Sequence, residues 1–210
     1  MSENVKKFGL LKGLSDIYVC EVNDTEEAYT PVGTPEKLIP AGEMTASKSF
    51  DKTAYYFDNT LFDESGVEAG TELILIGAAV RPAFLAWLES KTVDSTTGAI
   101  IDDGTWHRKY FAISGKKDYT DGTSELFWFL KCSYGGAEES SKTIDDSSEA
   151  NGMELPFTAY KTLHSFTTTG NGAKVMRVDT SVSEMKAEKK WTDQVVTPDN
   201  LSTLIQKKTS

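Results

Sequence analysis

Scarcity narrows this sequence before any motif does. Of 210 residues only two are cysteine, Cys20 and Cys132, far apart and with no CxxC pair. That usage excludes a zinc ribbon and a disulfide scaffold and leaves two buried thiols, or at most one optional bridge. Histidine is as rare: His107 and His164 each fall in a strand-like stretch with no local metal partner, so both are read as structural or surface residues. The longest apolar run, Leu73 to Val80, is far short of the roughly 18 residues that a spanning helix needs. The first 20 residues lack the apolar centre and small-residue cleavage site of a secretory signal, which predicts a chain made in cytosol-like surroundings. Positive charge is in short supply too. Against 32 acids stand 22 bases, a net charge of −10, the opposite of what a phosphate-binding protein needs.

Catalytic signatures are also missing. The chain has no GxSxG elbow, no GxxxxGK[ST] loop, no GxGxxG and no HExxH, so acyl transfer, nucleotide hydrolysis, hydride transfer and zinc peptidase chemistry lose their usual support. Asp118–Glu125 (DYTDGTSE) lacks the ligand spacing of a calcium loop and reads as a hairpin turn around Asp121-Gly122. Asp102 and Asp103 are neighbours, which on a strand would face opposite ways, and they precede Gly104; a solvated turn fits them better than an acid/base pair. The reading is therefore non-enzymatic, with no catalytic residue, cofactor or metal.

What remains is a mainly β chain. With 39% hydrophobic and 10% aromatic residues it buries enough surface to fold. Ser15–Val22 reads as the first strand, preceded by an N-terminal arm (1–14) whose Phe8, Leu10 and Leu11 a monomer has no evident way to cover. Glu72–Val80 is apolar on both alternating faces, which calls for a helix on one side and another cover on the other. The helix follows in RPAFLAWLESK, where Pro82 suits the first turn and Phe84, Leu85, Trp87 and Leu88 form the packing stripe. Trp106–Ser114 and Glu125–Tyr134 read as paired strands, and residues 153–169 and 173–180 as a second hairpin around Gly170-Asn171-Gly172. A C-terminal extension (183–210) offers Ser183 as cap of one helix and Thr197-Pro198 as the start of another.

Residues 41–71 stand out. They mix loop-like residues with Phe50, Tyr55, Tyr56, Phe57, Leu61 and Phe62, more aromatic surface than a spacer needs. A connection of such length is functional, or ordered only on binding. Lys52–Phe57 also fits part of a long two-stranded excursion, and rings folded back on the core are the plainer alternative. Acids gather without bases in residues 58–72 (Asp58, Asp63, Glu64, Glu68, Glu72) and against Lys142 alone in 138–154. Such runs are solvated faces or a surface that repels polyanions.

In order, GLSDIYVCEV, the Pro-rich TPVGTPEKLIPAGEMTAS, the aromatic and acidic AYYFDNTLFDESG, GTELILIGAAV, RPAFLAWLESK, a TGAII turn, HRKYFAIS with SELFWFLKCSYG, and ELPFTAYKT resemble the major tail proteins (tail tube proteins) of long-tailed bacteriophages over roughly residues 10–180. The segment after about residue 181 departs from shorter members. The resemblance implies a β-sandwich or partly closed barrel flanked by one helix in a tail-tube domain (15–182). It implies a structural virion protein assembling into stacked hexameric rings, the conduit of genome delivery. Its partners would be further copies of itself and the tail terminator, tape measure and distal tail proteins; DNA would pass through an acidic bore without specific binding, and no membrane is involved. Phe50, Tyr55, Tyr56, Phe57, Leu61 and Phe62 become candidate subunit contacts. A soluble β-sandwich module binding carbohydrate or protein, or the inner tube of a contractile tail or phage-like bacteriocin, are the alternatives.

Overall fold

A computed structural model describes residues 8–105, 107–136, 152–186 and 190–208. In chain order the elements are β1 (Leu11–Asp24), β2 (Tyr29–Lys37), β3 (Ala41–Phe57), β4 (Thr60–Ala78), α1 (Pro82–Leu88), β5 (Thr92–Val93), β6 (Ile100–Ile101), β7 (Tyr110–Tyr119), β8 (Ser124–Tyr134), β9 (Gly152–Ala159), β10 (Val175–Asp179), β11 (Ser183–Met185), α2 (Leu201–Leu204) and β12 (Ile205–Lys207). The fold is mainly β, as the sequence predicts.

The main sheet is antiparallel throughout, in the order β2-β1-β7-β8-β9-β4-β3, with β10 also on β8. Its two ends, β2 and β3, are joined by Leu38–Pro40 alone. Four Cα steps reach at most about 14 Å, so the ends of the sheet must come together. Leu38 N–H donates to the Ile17 carbonyl at 3.0 Å, and Leu38 and Ile39 are buried inside the curl. The sheet thus rolls into a partly closed barrel.

Strand alternation divides the apolar residues between two cores. Inside the curl lie Ile17, Val19, Leu73, Leu75, Phe111, Ile113, Phe127, Phe129, Leu155 and Phe157, with Leu85 and Leu88 of α1. Phe84 and Trp87 pack half-buried at its margin, Trp87 edge-on to Phe111 at 5.1 Å. On the opposite face Cys20, Val22, Ala112, Leu126, Trp128 and Leu130 meet Trp191, Val195, Val196 and Leu204 from the chain's own C-terminal segment. Two reciprocal bonds fasten this strap: the Trp191 indole donates to the Phe127 carbonyl at 3.1 Å, and the Trp128 indole to the Trp191 carbonyl at 3.2 Å. The second apolar face of β8 is covered by the chain's own C-terminal segment.

Several expectations need correction. Segment 41–71 is not a loop but most of a β3–β4 hairpin, the two-stranded excursion that Lys52–Phe57 allowed, because the residues from Thr60 on pair across the turn except Phe62, Ala69 and Gly70 at the bulges. β1 begins at Leu11, inside the expected arm, since the long β7–β8 hairpin reaches far enough to pair Leu11 with Tyr119. That hairpin turns at Asp121-Gly122 as predicted, with Gly122 at φ +83°, but its strands extend beyond Ser114 to Tyr119 and start at Ser124. Residues 153–180 do not form a hairpin: β9 pairs with β4 and the end of β8, while β10 pairs with the start of β8. α1 holds the whole Phe84, Leu85, Trp87 and Leu88 stripe but is shorter than the segment RPAFLAWLESK, ending before Ser90 at φ +61°. Ser183 opens β11, which pairs with β12, instead of capping a helix, and the helix after Pro198 is the single turn α2. Cys20 and Cys132 stand on β1 and β8, two strands apart with β7 between them and in different cores. Strands are spaced about 4.8 Å apart, which puts the two thiols beyond disulfide reach.

Candidate assembly surface

β9 supports β4 only from Thr71 to Ala78. Beyond Thr71, β3 and β4 pair with no other strand among the described residues, running from Lys48 paired with Thr71 out to Phe57 paired with Thr60. At about 3.3 Å per residue this two-stranded ribbon stands roughly 30 Å out from the barrel. Asp58 and Asn59, both at positive φ (49° and 59°), make its two-residue turn. Asp and Asn tolerate that conformation and match the right-handed strand twist.

The ribbon's surface is what makes it a candidate. Phe50 is 52% exposed, Tyr56 65%, Phe57 63% and Phe62 75%, with Tyr55 also open. Leu61 pairs with Tyr56 in the backbone register. Phe57 and Phe62 meet edge-to-face at 5.1 Å across a bulge, and no other ring touches them among the described residues. Val67, 73% exposed opposite Asp51, adds to the apolar surface and is a residue the sequence analysis did not single out. A lone hairpin is only marginally stable in water, and contiguous exposed apolar surface marks an interaction site. The geometry fits insertion between other surfaces better than exposure to solvent.

The ribbon is held firmly at its root. Lys174, just before β10, donates to Glu68 Oε1 at 2.5 Å, to the Ala69 carbonyl at 3.2 Å and to Thr71 Oγ1 at 3.1 Å. With Lys48 3.5 Å away as well, Glu68 is held below its ordinary carboxylate range, chiefly by the Lys174 bond. Further out, Lys52 bridges Glu64 at 2.7 Å. Two acids of the base-free run 58–72 are therefore answered from across the ribbon or the barrel. Lys174 carries no local sequence signal for this role; only the pairing of distant strands brings it to the root. Most of the other acidic run, 138–151, lies outside the described residues, as does Trp106.

The remaining candidates resolve into structure. Asp102 takes the Gly104 N–H at 2.8 Å and the Lys91 ammonium at 2.5 Å, and Asp103 takes the Thr105 N–H at 2.8 Å, so each has its own turn contacts. Asp118 is held by Lys116 and Ser124 within the β7–β8 hairpin. His107 lies exposed before β7, not within a strand, and His164 sits in a bend with Nδ1 3.3 Å from the Glu26 carbonyl. Among the described residues no cluster of three or more His, Cys, Asp or Glu is placed to hold a metal ion, and no helix is long and apolar enough to cross a membrane. No protein-family model matches the chain, and no curated protein matches it.

Proposed function

We propose that this chain is a structural subunit of a phage tail tube, whose copies assemble into hexameric rings that stack into a conduit for the genome. The observation that carries the reading is the 30 Å ribbon, bare on both faces and lined with Phe50, Tyr55, Tyr56, Phe57 and Phe62. Such a projection costs stability in a monomer and gains it only where other surfaces close over it. The net charge of −10 agrees with a lumen through which DNA moves without sticking, since like charges deny phosphate any binding site. The strap over the back of β8 leaves the barrel body self-sufficient, so assembly contacts concentrate on the ribbon and the N-terminal end.

The test is negative-stain imaging and sedimentation of the concentrated chain beside a variant lacking residues 50–65. That deletion leaves the Lys48–Thr71 pair closed by Ser49 and residues 66–70, so the barrel keeps its fold. The intact chain forms rings or tubes and the deletion stays a folded monomer. Tubes from the deletion overturn the role of the ribbon; an intact chain that remains monomeric at every concentration overturns the tube reading and returns the chain to the class of binding modules.

A further inference from the structure

A second exposed apolar feature has a complementary surface elsewhere on the chain. At the N-terminal end Phe8 is 92% exposed and Leu10 74%, in a stretch carrying Lys6, Lys7 and Lys12. The Leu10 carbonyl accepts the Thr120 N–H at 2.9 Å and Gly9 lies against the Tyr119 ring, so the arm leaves the barrel beside the β7–β8 turn. Between β2 and α1 lies an open groove of about 450 Å³ lined by Phe84, Trp87, Ala83, Val32, Glu21 and Glu36. The rings of Phe84 and Trp87 lie 5.2 Å apart within it, and Val32 is 47% exposed on its wall. Its rim is acidic: Glu21 is engaged by Lys109 at 3.1 Å, whereas Glu36 has no ion pair among the described residues.

We infer that the N-terminal arm of one copy docks into the β2–α1 groove of the next, Phe8 and Leu10 against Phe84, Trp87 and Val32, with the arm's lysines facing Glu36. This rests on the self-assembly reading and names one of its contacts. The arm does not reach its own groove. From Leu11 to Glu21 along β1 is about 33 Å, while Phe8, three residues before Leu11, reaches at most about 11 Å from it. Arm and groove therefore sit at opposite ends of one strand, and their union is a head-to-tail contact that propagates from copy to copy.

The test uses full-length chains in sedimentation. Phe8→Asp/Leu10→Asp disables the arm at exposed positions, and Val32→Asp/Glu36→Lys disables the groove on the edge strand; both leave the cores untouched. Burial of two large apolar side chains predicts that each variant raises the concentration needed for assembly at least about a hundredfold. Mixed, the two variants pair through the one intact arm and the one intact groove, giving a species of twice the monomer mass. If the intact chain assembles and the arm variant assembles equally well, the inference fails while the tube reading stands. If the intact chain never assembles, both fail. If each variant is impaired but the mixture shows no paired species, the head-to-tail contact is refuted.

Discussion

Replacing Trp191 asks whether the C-terminal segment belongs to the fold or to the assembly. Its indole is 6% exposed, donates to the Phe127 carbonyl at 3.1 Å, and packs in the back core with Trp128, Val195, Val196 and Leu204. Trp191→Ala removes a buried ring, at a cost of about 3–5 kcal/mol for a core aromatic, and also a hydrogen bond worth about 1 kcal/mol. Against a total stability of roughly 5–15 kcal/mol that is a large loss. With a urea slope of about 2 kcal/mol/M the unfolding midpoint falls by about 2 M, followed by far-UV circular dichroism because other tryptophans confuse fluorescence. Trp191→Phe keeps most of the buried area and falls by well under half as much. If the segment were instead an arm that orders only between subunits, Trp191→Ala would leave the monomer's midpoint unchanged and weaken only assembly. That result refutes the integral strap and restores an uncovered apolar face on β8.

Three further perturbations probe the body. Asp24 lies fully buried against Lys131 at 2.7 Å, accepts the Leu163 and His164 N–H groups at 2.8 and 3.1 Å, and its lysine sits 4.5 Å over the Tyr110 ring. Asp24→Asn strands that ammonium and lowers stability by about 3–5 kcal/mol, while adding Lys131→Met recovers part of the loss, both read as urea midpoints. Gly115→Ala places a Cβ 2.3 Å from Phe127 Cζ and 2.6 Å from Ile17 Cδ1; both side chains are locked in the front core, so the change costs about 1–3 kcal/mol in the same assay. Asp199 receives the Thr168 N–H at 2.8 Å and the Thr167 N–H at 3.1 Å, which holds its carboxyl below the ordinary value of 3.8. Its contribution is complete above that value and drains away as pH falls through the depressed one. Asp199→Asn is thus less stable than the parent near neutrality and shows a flatter acid limb below pH 3.8.

Where side-chain period and turn chemistry agree, the sequence was easy to read. Asp121-Gly122 between two aromatic runs set the β7–β8 hairpin, and Pro82 ahead of Phe84, Leu85, Trp87 and Leu88 set α1. The ribbon was harder. Bulges at Ala41/Glu43, Lys48/Phe50 and Tyr55/Tyr56 break the alternation, and with both faces in solvent no apolar period marks either strand, so its aromatic content and the strand-type residues of Lys52–Phe57 were the only signals. Residues 153–180 misled for another reason. The Gly170-Asn171-Gly172 signal marks only a local turn, closed by a bridge between Phe166 and Asn171, while the strands on either side find partners far away in sequence. Nor does any local pattern tell that Trp191, Val195 and Val196 fold back over β8; Trp191 and Val195 stand at helical spacing, yet the segment forms no helix and packs as an irregular strap.

The strap changes which apolar surfaces a single copy leaves open. A strand such as Leu126–Leu130, apolar on both sides, suggests from sequence a sheet face awaiting a neighbour. Here the chain supplies its own cover and buries Leu126, Trp128 and Leu130 almost fully. The apolar surface left in solvent is concentrated instead on the ribbon and on Phe8, Leu10 and Leu11, all of them projections from the barrel. Subunits that joined by sheet faces would have to unfold the strap first, a barrier set by the burial of Trp191, Val195, Val196 and Leu204. Subunits that joined by projections would need no such rearrangement: on the proposed reading, assembly would add contacts to a finished body, and truncating the projections would separate assembly from folding.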